Sequence, residues 1–241
     1  MEKGIEAFNK LQIKMSRKFA LEIDEFYHIY SRGVDKRVIF LDHDDYSRFI
    51  KLLWICNHSD SFVYRDLINN LPSKNVFDFP ADQTLVDIGA YCLMPNHFHL
   101  LVHEKVENGT SIFMQKLLTS YAKYFNAKYK RTGCLYESAF KATHLDDDAY
   151  LQYIYSYINL NPVKLVFPGW KEEAGQRNFN SLKAKKFIEE YQYSSYRDHL
   201  GENRKQTKII NQEAFPDYFE GQGDFEKMLD FWLNYQVELP M

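Results

Sequence analysis

The chain has 241 residues, 45% hydrophobic and 26% charged, which fits an ordinary globular protein and excludes a disordered, collagen-like or mucin-like chain. No apolar run approaches the roughly 18 residues of a membrane span, and the opening residues lack the apolar core of a signal peptide, so a cytoplasmic protein without membrane contact is expected. The formal net charge of −3 conceals an asymmetry: residues 116–141 hold Lys116, Lys123, Lys128, Lys130, Arg131 and Lys141 against Glu137 alone, whereas from residue 211 onward seven acids oppose Lys227.

Residues 1–24 read as an N-terminal extension of mixed helical character. Phe26–Arg32 then alternates aromatic and polar groups and ends at Gly33, as a strand and turn should. Asp42 or Asp44 can cap a helix in which Tyr46, Phe49, Ile50, Leu53 and Trp54 recur at helical spacing. The breaker-rich stretch 69–81 reads as an exposed loop insertion. LVDIGAYCLM and HFHLLVH form a hairpin across Pro95 and Asn96, and a long helix follows from Asn108 to Tyr129, with Met114, Leu117, Leu118, Tyr121 and Phe125 on its apolar face. A short strand at 140–145 and a helix from the Asp146–Asp148 triplet to Asn161, stopped by Pro162, complete the series.

That order predicts an α+β fold, a ferredoxin-like antiparallel sheet with helices on one face, over residues 25–168. Residues 169–241 read as a C-terminal appendage with an acidic tail, which is expected to fold near the basic patch. Cys56, Cys92 and Cys134 are scattered and never form C-x-x-C, which argues against disulfides or a thiolate zinc site.

The candidate chemistry sits on the hairpin and the closing helix. On a strand, residues two apart share a face, so His97 and His99 project one way and can hold a divalent metal, with a further ligand needed from elsewhere. On the helix, Leu151, Ile154, Tyr155 and Ile158 form the apolar stripe, while Tyr150, Tyr157 and Asn161 share a polar flank. Tyr157 and Asn161, one turn apart, can reach one site, the amide toward a cation and the tyrosine oxygen toward phosphorus. Tyr155 should be packed and Tyr153 should face farthest from the core. Tyr121, Tyr124 and Phe125 are either core residues or platforms for stacked bases.

MPNHFHLLV followed by YINLNPVK resembles the single-tyrosine HUH transposases, most closely the REP-associated tyrosine transposase group. YHIYSRGVDKRVIF, SYAKYFNAKYKRTGCLYESAFK and YQYSSY are similar to other recurring segments of that group, so the resemblance spans roughly residues 26 to 200. It implies an HUH endonuclease fold, His97 and His99 as ligands of Mg2+ or Mn2+, and Tyr157 as nucleophile. Asn161 would stand where relatives carry a polar residue assisting the metal. The expected activity is cleavage and strand transfer of single-stranded or hairpin DNA through a phosphotyrosine, by a monomer or homodimer. Arg32 and the basic residues of 116–141 would hold phosphates. Ala139 departs from the basic residue expected there. Two other readings stay open: a ferredoxin-like module that binds RNA or single strands without chemistry, and a hydrolase that uses the H-x-H metal alone.

Overall fold

The computed structural model describes residues 20–60, 63–80, 83–170, 174, 179–218 and 222–234. Most of the extension expected at 1–24 lies outside them. Four strands, β1 (Phe26–Arg32), β2 (Val86–Met94), β3 (His97–Glu104) and β4 (Lys141–His144), form one antiparallel sheet in the order β2-β3-β1-β4. Helix α1 (His43–Cys56) joins β1 to β2, after which come a short α2 (Tyr64–Asn70) and the Pro95–Asn96 turn between β2 and β3. Helix α3 (Gly109–Lys128) joins β3 to β4, and α4 (Asp148–Leu160) follows the sheet. This is the expected ferredoxin-like topology. Local chemistry sets the helix starts: the Asp42 carboxylate accepts the Asp45 N–H at 3.1 Å, and the Asp147 carboxylate accepts the Tyr150 N–H at 3.0 Å.

Helices α1 and α3 cover one face, where Phe49, Leu53, Phe113, Leu117 and Tyr121 pack on Ile29, Phe98 and Leu100. The opposite face carries Ala90, Cys92, Met94 and Leu101, and α4 lays Leu151, Ile154 and Ile158 over them. The sheet is therefore covered on both faces, not one. The reason is visible in β2, every residue of which is buried: a strand apolar on both sides needs two partners. Gly89 marks a register shift in β2 directly under α4. A methyl group there would lie 2.8 Å from both the Tyr155 hydroxyl and the Phe215 ring.

Val76 and Phe77 are buried in the main core, so the 69–81 segment is anchored there and is not simply an exposed loop; residues 81 and 82 lie outside the described residues. The C-terminal part contributes α5 (Ser181–Glu190), α6 (Tyr196–His199) and α7 (Gln222–Asn234). It is tied to the open edge of β2: the Leu93 N–H donates to the Tyr193 carbonyl, the Ser195 N–H to that of Tyr91 and the Asn211 N–H to that of Ile88, each at 2.9 Å. Phe225, Leu229 and Leu233 dock α7 against Leu160, Val163 and Ile188. Its acids Glu226 and Asp230 pair with Lys185 of α5 at 3.6 and 2.9 Å. The described acidic helix thus lies on the α4 side of the sheet and not on the basic helix α3, because its apolar stripe finds its partner there. Among the described residues no helix is long and apolar enough to cross a membrane.

Candidate active site

Antiparallel register places His97 opposite Arg32 and His99 opposite Tyr30, while Tyr30 faces Lys141 on β4. Alternation then puts His97 and His99 on the α4 face together with His28, Tyr30, Arg32 and Lys141. The Asn96 amide nitrogen donates to the Lys36 carbonyl at 3.1 Å, which turns its oxygen toward His97 Nδ1 at 2.6 Å. His97 must therefore donate through Nδ1–H, and Nε2 keeps its lone pair. Burial, reinforced by the charges of Arg32 and Lys164, pulls the His97 pKa down to about 4, so the ring is neutral at physiological pH. His99 is held from behind in the same manner, its Nδ1 lying 2.9 Å from Nε2 of His28. Hydrogen bonding at the rear nitrogen is what orients a metal-binding imidazole.

Helix α4 brings its tyrosine to this pair. The Tyr157 ring stands edge-on to His99 at 5.3 Å and to His28 at 5.8 Å between centroids. Asn161, the next polar residue on that flank, is fully buried, and neither of its amide atoms has a hydrogen-bond partner among the described residues. A buried carboxamide left in that state is costly without a ligand. Among the described residues no group of three or more His, Cys, Asp or Glu is placed to hold a metal. A cation at this site would take two imidazoles and the Asn161 oxygen, and that donor set fits a divalent ion.

The other tyrosines of α4 are engaged elsewhere. Tyr155 is packed as expected, with its ring against Phe215. Tyr153 does not face outward: it is 4% exposed and meets Trp232 edge-on at 5.0 Å, because α7 covers the side of α4 that the helix pattern alone leaves open. Burial pushes the Tyr150 hydroxyl up to about 12 and raises those of Tyr153 and Tyr155 well above the ordinary phenol value.

Comparison with known proteins adds the family. The model of a family described as "Transposase IS200 like" matches residues 46–161, a stretch that contains His97, His99 and Tyr157 and ends at Asn161. Residues 46–161 are therefore similar to the IS200-like transposases. Among solved structures, a REP-associated tyrosine transposase bound to a REP hairpin is similar at 12% identity and a TM-score of 0.47, over 87% of this chain and 92% of that one. No curated protein matches the sequence.

The basic residues are divided between the two sides of the sheet. Arg32 and Lys141 stand beside the histidines, Lys141 with its ammonium 5.9 Å from the Tyr30 ring centre and 3.3 Å from Glu137. Those on or next to α3 lie on the other side. Lys128 is paired with Asp42 and Asp45 at 2.7 and 2.8 Å, Lys116 donates to the His58 and Asp60 carbonyls, and Arg131 donates to the Asn126 amide oxygen at 3.0 Å. Lys123 and Lys130 are exposed. Tyr121 and Phe125 are core residues, and the Tyr124 ring carries the Arg48 guanidinium 4.7 Å from its centre. Three site residues escaped sequence reasoning. His28 and Tyr30 were visible only as the alternation in YHIYSR, and Lys164, whose ammonium lies 5.2 Å from the Tyr157 ring centre, was visible as the last letter of NPVK.

Proposed function

We propose that the domain cuts and rejoins single-stranded DNA at hairpin-associated sites through a covalent bond to Tyr157, with Mg2+ or Mn2+ bound by His97, His99 and Asn161. The observation that carries this reading is the convergence of Tyr157 on His99, at 5.3 Å between ring centres, from the helix that follows β4. Bound there, the cation would polarise the scissile phosphate and offset the charge that develops on it.

The chain's own groups do the rest. Asn96 and His28 hold the imidazoles so that Nε2 of His97 is available as an electron-pair donor. Arg32 and Lys164 supply positive charge for the phosphate oxygens. The Tyr157 oxygen attacks phosphorus, an O–P bond forms, and the P–O bond to the neighbouring sugar breaks. The phenolic proton leaves to solvent, and the departing sugar oxygen ends as a hydroxyl. One phosphodiester has replaced another, so the hydroxyl of a second DNA end can reverse the step without ATP.

A non-catalytic RNA-binding ferredoxin-like module stacks bases on an open sheet face. Here α4 covers the face that such a module would leave free, which favours the catalytic reading. Incubating the full chain with Mn2+ or Mg2+ and a labelled hairpin strand should give a protein–DNA adduct that survives denaturant. His97→Ala and His99→Ala should each reduce it to background while DNA binding stays within about threefold, because phosphate contacts supply most of the affinity. Full adduct yield in either variant would overturn the metal assignment.

A further inference from the structure

A cavity of about 700 Å³ lies at the β2 edge, apart from the histidine pair. Helix α1 forms one wall, α2 and the turn after it a second, and residues 192–206 a third. Lys51, Lys74, Arg197, Arg204 and Lys205 line it, and among the described residues no carboxylate does. The two arginines are braced from behind, Arg197 by Glu202 and Arg204 by the buried Asp198. Lys74 donates to the Asn69 carbonyl at 2.6 Å, which leaves its charge unneutralised, and Lys51 and Lys205 form no ion pair among the described residues. Three lysines that form no ion pair among the described residues therefore line one concavity, Lys205 with Asp78 near enough to feel its charge. Tyr193, partly buried, belongs to the lining and stacks on Tyr46 at 3.8 Å.

Its place in the sheet links it to the active site. Tyr193 is bonded to Leu93, and Met94, the next residue, is the register partner of His97. The cavity wall thus begins two strand spacings, about 10 Å, from β3. Residues 192–206 fall outside the stretch that matches the transposase family, so this wall is built by the part of the chain beyond the domain.

We propose that this cavity holds the sugar–phosphate backbone of the DNA strand on one side of the cut, as a second anchoring site reached over the β2 edge. The inference rests on the strand-cleavage reading above. Lysines that form no ion pair grip phosphates irrespective of base, and a tyrosine in the same lining suits an unpaired base. A free nucleotide is the other source of the same phosphate chemistry, and the test separates the two.

The test compares the full chain with the variant Lys51→Gln/Lys74→Gln/Lys205→Gln, which alters side chains at the surface and leaves the histidine–tyrosine pocket untouched. Fluorescence anisotropy is read across a salt series for two hairpin strands, one trimmed to the cut site and one with about 12 unpaired nucleotides on each side. For the long strand, the variant should lose about tenfold or more in affinity, and its log–log salt slope should shrink by about 2, three contacts at roughly 0.7 each. The trimmed strand should bind as before and form adduct at the same rate. Unchanged affinity and slope for the long strand would overturn the proposal, as would an equal loss on both strands. ATP that raises the melting temperature of the wild type but not of the variant, with DNA binding unaffected, would also overturn it, in favour of a nucleotide site. If the wild type forms no adduct yet the variant still loses the long strand, the cleavage reading fails and strand binding by the cavity stands.

Discussion

His28 supports His99 by one hydrogen bond of 2.9 Å and touches the Tyr157 ring, so it is a positioning residue for both halves of the pocket. His28→Ala should lower the adduct-forming rate by about 10–100-fold, the usual cost of losing a partner behind a ligand, and raised Mn2+ should recover part of the loss. DNA affinity should not move; a variant with an unaltered rate and metal dependence would remove His28 from the site. Asp45 carries a different burden. Its fully buried carboxylate accepts the Leu41 N–H, the Tyr129 hydroxyl and the Lys128 ammonium, each at 2.8 Å. Asp45→Ala leaves those donors unsatisfied and should cost about 3 kcal/mol in urea unfolding; a loss below about 1 kcal/mol would show that the network is dispensable. The same cluster changes the charge count along 116–141. Linear counting registers Lys128 as a free cation, whereas folding brings Asp42 and Asp45 onto it.

At the scale of elements, α4 packs over β2 and β3, and Gly89 permits that close approach. Gly89→Ala would place a methyl group 2.8 Å from the Tyr155 hydroxyl and the Phe215 ring, both packed. The expected result is a destabilisation of about 1–3 kcal/mol with a lower cleavage rate even in the folded fraction; wild-type stability and rate would show that α4 shifts freely. Much of this architecture was legible in advance. Strand alternation, the Asp42 and Asp147 caps and the Pro95–Asn96 turn are local signals, and they located β1, the hairpin and both ends of α4 to within a residue or two. The helix pattern also separated packed Tyr155 from Tyr157. It failed at Tyr153 because a wheel records one buried face, and the second partner, α7, comes from some 70 residues later in the chain. His28 was hidden for a related reason: β1 displays its alternation, but only the register with β3 shows that His99 is its neighbour.

For the whole molecule, the two-sided sheet assigns separate tasks to its faces. Helices α1 and α3 supply the core, while the α4 face gathers Arg32, Lys141, Lys164, the histidines and Tyr157. Lys123→Gln/Lys130→Gln, on the far side, should therefore change single-strand affinity by less than about twofold at a given salt concentration, whereas Lys164→Gln should cut the adduct-forming rate about tenfold or more. A tenfold loss of affinity in the α3 variant would route the DNA over that helix instead. The central claim is that one tyrosine among four on α4 makes the covalent bond. Mass spectrometry of the digested adduct should find the nucleotide on Tyr157, and Tyr157→Phe, which removes a single oxygen, should abolish the adduct while hairpin binding and melting temperature are retained. A nucleotide on Tyr150, Tyr153, Tyr155 or any other residue, or an undiminished adduct in Tyr157→Phe, would contradict it.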